Sequence, residues 1–575
     1  MPRDLAFRLL GPSDPLRLTG GGPGRGLSAR SRMSVSDRTD AEPPSQPSPS
    51  EGEGEPSLAC EAQCLNQSPL PLAGGGSGWG SNLRTTAIAL AFAAFLGACT
   101  VGPDYARPTV DAPEQWRIDY PQAADVANTK WWEQFGDPAL DQLIETALRE
   151  NKDVIVAAAR IDQFIGALAT TRSQFYPQIG YSLDASRNRS SRVGVPALAP
   201  GADAYYSLYQ GALGATWQID LFGRVRRQSE AAQAQVYASE QARRGVVLSV
   251  VTSVAASYIG LRALDRQLEI AFATAKNYGD TQRIFELRFT GGVVSQVELS
   301  QVQSQYQQAL ASIPALQQQI AAQENLISIL LGRNPGPIPR GKTIDELGAP
   351  GIPADLPSAL LERRPDILQA EQNLVAANAN IGVAKSLYYP SLSLTGALGS
   401  VSAALGDFLS GPAAAWSVAA GLAGPIFTFG AIEGQVQSAE AFQRETLASY
   451  QQTVLNAFRE ANDALVGTVK KREESQAQTR RVAALREYAR LSRLKFDNGY
   501  ASYLEVLYAE NELFSAELTA VRTQADGYTQ VVNVYKAVGG GWVNQAAEAA
   551  PQPLLRSAAD ALAGEPGASQ SKGTK

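Results

Sequence analysis

The sequence predicts an α+β membrane protein made of two internal repeats, each ordered as helix, two strands, very long helix, tight turn and long helix. Three observations carry this. The two halves of the 575-residue chain match at a constant offset. Two segments of each half alternate apolar and polar residues, and the longest segments carry unbroken heptad stripes.

The repeat is read from spaced residues. Asp153 precedes Pro177 by 24 residues, and Asp366 precedes Pro390 by 24. Gly223 in DLFGRVR answers Gly430 in FTFGAIE; Gly292 answers Gly499 and Ser295 answers Ser502, all 207 apart. An offset held without insertion over this length requires long, rigid elements.

Residues 1–82 are crowded with Gly, Pro and Ser, as in AEPPSQPSPSEGEGEP and LAGGGSGWGS. Such a composition buries too little surface to offset chain entropy, so a disordered extension is expected. Residues 83–98 read as a signal peptide: Arg84 is the positive end, and an apolar run follows that is shorter than the roughly 20 residues a bilayer span needs. Leu96, Gly97 and Ala98 place a Leu-small-small pattern before Cys99, the expected lipidation site and mature N-terminus. Both methionines, Met1 and Met33, precede this leader, so translation is expected to begin near Leu83 at a non-standard codon.

From Cys99 onward there is no histidine, no methionine and no second cysteine. Disulfides, Ser-His-Asp chemistry and His-ligated metals are excluded. The net charge of -6 and pI of about 5.2 argue against a nucleic-acid partner. No catalytic constellation, metal site or cofactor is expected, apart from the covalent lipid.

The first repeat, 99–332, begins its strands after Pro177. Ile179, Tyr181 and Leu183 alternate with Gln178, Ser182 and Asp184; Tyr209, Leu213, Ala215, Trp217 and Ile219 then alternate with Gln210, Thr216, Gln218 and Asp220. The second repeat, 357–542, gives Leu392, Leu394 and Leu398, then Trp416, Val418, Ala420 and Leu422. Segments of about ten residues with one apolar face suit an outer-membrane barrel. Four strands cannot close a barrel, since about eight are the practical minimum, so the subunit must oligomerise.

The long helices are expected over 226–290 and 434–497, each roughly 100 Å at 1.5 Å per residue. After the glycine turns, stripes run through Leu299, Val302, Tyr306, Ala309, Ile313 and Leu316, and through Leu504, Leu507, Asn511, Phe514, Leu518 and Val521. Seven-residue spacing predicts left-handed supercoiling, and Pro314 should kink the earlier helix. Between the repeats, 333–356 reads as a linker although GPIPRGKT matches the Walker A spelling. It follows a helix rather than a strand, and Pro337 and Pro339 remove amides a phosphate would need. Residues 543–575 are expected to be a disordered tail.

From Cys99 to about Trp542 the chain resembles the TolC-like outer-membrane efflux proteins, NodT-type lipoprotein subgroup. The resemblance is carried by CTVGPDYARP, the doubled YP strand entries, the FG helix starts, and the turns RFTGGVVSQVEL and KFDNGYASYLEVLYAENELF. It implies a homotrimer in which four strands per subunit share one twelve-stranded β-barrel, continued by a periplasmic twelve-helix α-barrel with coiled coils. It also implies a non-enzymatic exit duct of a tripartite efflux pump. The duct would pass small molecules such as drugs from an inner-membrane transporter of the resistance-nodulation-division type, through a periplasmic adaptor (membrane fusion) protein, to the outside. A lipid-anchored coiled-coil scaffold without a pore and the outer-membrane duct of a type I protein secretion system are the alternatives.

The resemblance further implies adaptor-docking tips at Gly292, Ser295, Gly499, Ala501 and Ser502, and a periplasmic gate at Leu504, Glu505 and Tyr508, the last standing where many relatives have Asp. Read from the residues alone, Glu505 is equally an ordinary solvated helix residue. Glu298, with Arg288 and Lys495, is a candidate latch between adjacent hairpins.

Overall fold

The computed structural model describes residues 100–109, 113, 129–193, 199, 201–352 and 360–557. The extension 1–82, the leader 83–98 and Cys99 lie outside the described residues. The first repeat comprises α1 (Pro138–Glu150), α2 (Lys152–Ser173), β1 (Gln178–Arg189), β2 (Tyr205–Ile219), α3 (Arg224–Thr290) and α4 (Gln296–Leu330). The second comprises α5 (Pro365–Ser386), β3 (Ser391–Ser402), β4 (Ala414–Ala423), α6 (Ala431–Asp497) and α7 (Tyr503–Val538), followed by α8 (Trp542–Ala549).

α3 and α6 are both 67 residues long. Each starts after a glycine in the left-handed region, Gly223 at φ 78° and Gly430 at φ 82°, a conformation glycine adopts without a Cβ penalty. α3 pairs with α4 and α6 with α7, and α3 also packs along α7 and α5. The heptad stripes are buried at Leu299, Val302, Ala309 and Leu316 on α4 and at Leu507, Val521, Ala525 and Val532 on α7, while Leu504 at the head of the second stripe is exposed. α4 continues as one helix through Pro314, which lies on its exposed side.

The four strands form one antiparallel sheet in the order β1-β2-β3-β4. Beside the helices, the core centres on a turn, Trp131–Phe135, that the sequence did not reveal. Trp131 stacks on Tyr535 at 4.9 Å, and Trp542 meets Trp131 and Trp132 edge-on at 5.9 and 5.7 Å. Trp542, Val543, Ala546 and Ala547 are all buried. The expected disordered tail from 543 is therefore corrected: α8 is folded onto α1 and α3 because its apolar face completes this aromatic cluster.

Among the described residues of the linker, 333–352, there is no strand–turn–helix setting, and the one regular element is the short turn Ile344–Glu346. The linker's amides serve protein groups: Gly341 N–H donates to Tyr258 Oη at 2.9 Å, and Lys342 N–H donates to Asp137 Oδ2 at 3.0 Å.

Candidate functional site

The sheet presents two chemically different faces. Cross-strand register aligns Tyr181, Leu213, Leu398 and Trp416 in one row over all four strands. Each of the four side chains is more than half exposed. The next row on the same face is Ile179, Ala215, Gly396 and Val418. The opposite face carries Gln178, Thr216, Thr395 and Ala419, and beside them Gly180, Gly214, Ala397 and Ser417. An outward apolar band backed by small and polar residues is the pattern of a membrane barrel strand. The outer edges of β1 and β4 pair with no described strand, which leaves backbone donors and acceptors free for another chain.

At the far end of the long helices the two reversals are built alike. Gly292 (φ 72°) precedes Val293, whose N–H donates to Arg288 O at 2.8 Å; Gly499 (φ 77°) precedes Tyr500, whose N–H donates to Lys495 O at 2.9 Å. Matching apolar side chains project here: Leu287, Val293 and Val297 on one turn, Leu494, Tyr500 and Leu504 on the other, all more than half exposed. Behind them Phe285 packs on Tyr503 at 4.3 Å and Phe496 on Tyr503 at 5.2 Å, joining the two hairpins.

The turns differ in how equivalent carboxylates are used. Ser295 caps α4, and Glu298 accepts from its amide at 2.8 Å and its hydroxyl at 2.9 Å, bonds that hold the Glu298 carboxyl below its usual range. The Ser502 side chain makes no such bond, and Glu505 Oε1 lies 3.6 Å from Lys495 Nζ. Arg288 sits over the rings of Phe285 and Phe496. Within one chain the residues of the candidate latch are apart: Glu298 is held by its own cap, Lys495 lies against Glu505, and Arg288 rests on the two phenylalanine rings. Leu504 and Tyr508 are exposed one helical turn apart, at 57% and 61%, on the same side of α7.

The other side of α7 faces a cavity of about 1140 Å³ between α3, α6 and α7, lined by Tyr278, Glu510, Phe514 and Tyr528 among others. Glu510 Oε2 and Tyr278 Oη are buried without hydrogen-bond partners among the described residues. Burial pushes the Glu510 carboxyl up, opposed by Arg493. Glu510 and Tyr508, two positions apart, point about 200° from one another around the helix, so the cavity and the Tyr508 face are separate surfaces.

Where the strands meet the helices, the stretch beginning at Thr100 forms a strap. Val101 N–H donates to Phe222 O at 3.2 Å, Asn378 Nδ2 donates to Pro103 O at 2.9 Å, and the buried Arg227 reaches Asp104 at 2.7 Å. Gly102, at φ 105°, passes so close to α5 that a Cβ there would come within 2.4 Å of Gly382 Cα. Thr100 lies against Gly223, the residue that opens α3. These contacts join residues far apart in sequence, and only the spelling of the CTVGPDYARP segment hinted at them.

Comparison with known proteins places this architecture. Residues 143–333 and 356–540 match the family described as outer membrane efflux protein. The probable efflux pump outer membrane protein TtgC of Pseudomonas putida is 34% identical over 476 residues, covering 81% of this chain and 97% of that protein. The cation efflux system protein CusC of Escherichia coli is 30% identical over 455 residues, covering 78% of this chain and 98% of that protein. Among solved structures, the outer-membrane channel OprN aligns with a TM-score of 0.70 at 29% identity, over 77% of this chain and 100% of that one. The open state of the MtrE outer membrane channel of Neisseria gonorrhoeae aligns with a TM-score of 0.70 at 28% identity, over 77% and 99%.

Proposed function

This chain belongs to the outer membrane efflux protein family, and from that premise we propose that it is the homotrimeric, lipid-anchored exit duct of a tripartite pump for small molecules such as drugs. Its family is one of outer-membrane channels rather than enzymes, and its relatives are outer-membrane proteins of efflux pumps. The observation that carries the reading is the open-edged, four-stranded sheet with an apolar outer band, running directly into two 67-residue helices. Three copies supply twelve strands and close every edge. Single-channel recording in planar bilayers tests it: the duct conducts and runs as a heat-resistant trimer in detergent, whereas a coiled-coil scaffold gives no conductance.

A periplasmic adaptor and an inner-membrane transporter of the resistance-nodulation-division type complete the proposed pump. The absence of Met and His from residue 99 onward removes the thioether and imidazole ligands of a dedicated soft-metal site, and bears on such a site rather than on what a wide duct passes. No cofactor enters beyond the lipid on Cys99. The strap supports the lipid assignment, because it holds Thr100 beside the end of β2, at the level where the sheet leaves the membrane. Cys99→Ser is expected to abolish palmitate labelling while trimers still form, since the barrel itself anchors the protein. Label persisting in that variant refutes the site.

The adaptor is proposed to dock at the tips around Gly292, Ser295, Gly499, Ala501 and Ser502, where the exposed Leu287, Val293, Val297, Leu494 and Tyr500 surround the small residues. Ala501→Trp and Ser502→Arg should leave trimers intact, cut adaptor crosslinking several-fold and sensitise cells to drugs. Undiminished crosslinking counts against tip docking.

Leu504, Glu505 and Tyr508 are proposed to line the gate. Three Glu505 carboxylates around the axis favour cations, and each lies against Lys495 of the preceding helix within its own hairpin. Glu505→Gln should therefore reduce cation preference, and Tyr508→Ala should raise conductance. If neither changes, the constriction lies elsewhere.

A further inference from the structure

We infer that Phe429 of one subunit stacks on Tyr176 of the neighbouring copy of this chain, forming the aromatic seam that fastens one subunit to the next where barrel and helices meet. The inference rests on the trimeric reading above. It starts from a contact inside the chain: Phe222, three residues after β2, stacks on Tyr389, two residues before β3, with ring centroids 4.7 Å apart and planes 20° from parallel. β2 and β3 are the neighbouring strands at which the first repeat meets the second.

The repeats supply the same two rings a second time. Phe429 stands 207 residues after Phe222, also directly before a left-handed glycine that opens a 67-residue helix. Tyr176 stands 213 residues before Tyr389, also directly before the proline that leads into a strand. These two do not meet within one chain. Phe429 is 89% exposed and Tyr176 is 66% exposed. Phe429 follows β4 and Tyr176 precedes β1, the two strands whose outer edges are open. In a closed ring of alternating repeats, the step from the second repeat to the next subunit's first repeat copies the step from first to second within a chain. β4 then pairs with the neighbour's β1 as β2 pairs with β3, and Phe429 meets the neighbour's Tyr176 as Phe222 meets Tyr389.

One further feature agrees. The helices repeat the pattern: α3 packs along α5, whereas α6 has no comparable packing on α2 and leaves Phe442 and Leu455 more than half exposed.

The test uses the full chain in the outer membrane with Tyr176→Cys and Phe429→Cys combined, treated with a short bifunctional methanethiosulfonate and run denatured without reductant. Dimer and trimer bands are expected from this pair, while Phe222→Cys with Tyr389→Cys crosslinks within the chain and stays monomeric in size. A native trimer in which the control pair closes but the seam pair yields monomer alone overturns the seam. Absence of any native trimer overturns the trimeric reading instead. As a second measurement, Phe429→Ala and Tyr176→Ala should each lower the temperature at which the trimer dissociates, and together no further than the larger single effect; fully additive losses also overturn the pairing.

Discussion

Leu213→Arg is expected to remove the protein from the outer membrane. Leu213 lies near the middle of β2, with Tyr181 opposite on β1 and Leu398 opposite on β3, inside the apolar row that crosses the sheet. It is 59% exposed in the isolated chain and lies in the apolar band, the face proposed to meet lipid. An arginine on the lipid face near the bilayer midplane costs about 2–4 kcal/mol, and a trimer carries three, so the loss approaches about 6–12 kcal/mol per assembly. Thr395→Arg is the matched control, since Thr395 lies on a central strand in the polar row with Thr216 and Ala419 and faces the other way. Leu213→Arg should abolish heat-resistant trimers and bilayer conductance; Thr395→Arg should keep both and shift ion selectivity toward anions. Equal damage from the two substitutions would show that the sheet does not separate lipid from lumen.

The architecture was legible because the duplication reports on geometry twice. A 207-residue offset maintained from Gly223 to Ser295 leaves no room for a break in α3, and the same count in α6 settles both helices at once. Alternation gave the strands, and the register of Tyr181 with Leu213 and Leu398 then turned four weak patterns into one face. What escaped was of two kinds. α8 is only eight residues long, too short to display a helical period, and its partners Trp131 and Trp132 are remote in sequence. The carboxylates at the turns escaped for the opposite reason. Ser295–Glu298 and Ser502–Glu505 share the Ser-x-x-Glu spelling of a capping box, yet only the first forms it, because Lys495 competes for Glu505. Identical local spelling leaves the outcome to neighbours that the chain brings in from elsewhere.

The same lesson gives the largest expected loss of stability, at Asp137. GPIPRGKT has the letters of a phosphate loop, but the anion it receives is a carboxylate of this chain. Asp137 is fully buried; its Oδ1 accepts from Ala139 N–H at 2.9 Å as the N-cap of α1, and its Oδ2 accepts from Tyr258 Oη at 2.8 Å and Lys342 N–H at 3.0 Å. Burial and this carboxylate push the Tyr258 hydroxyl up, so it remains a donor. One side chain therefore ties the start of α1, the middle of α3 and the linker between the repeats. Asp137→Ala removes a helix cap worth about 1 kcal/mol and leaves the buried Tyr258 hydroxyl and the part-buried Lys342 amide without their acceptor at roughly 1–3 kcal/mol each, so a loss of about 3–7 kcal/mol is expected. Thermal unfolding of the detergent-solubilised protein should show a clearly lowered midpoint, and limited proteolysis should cut first within 333–352. Lys342→Ala separates the two meanings of the motif: Lys342 contributes its backbone amide and its side chain is exposed, so this variant should melt and transport as the parent does. A normal midpoint for Asp137→Ala, or loss of activity in Lys342→Ala, would mean that the loop serves something other than the buried carboxylate.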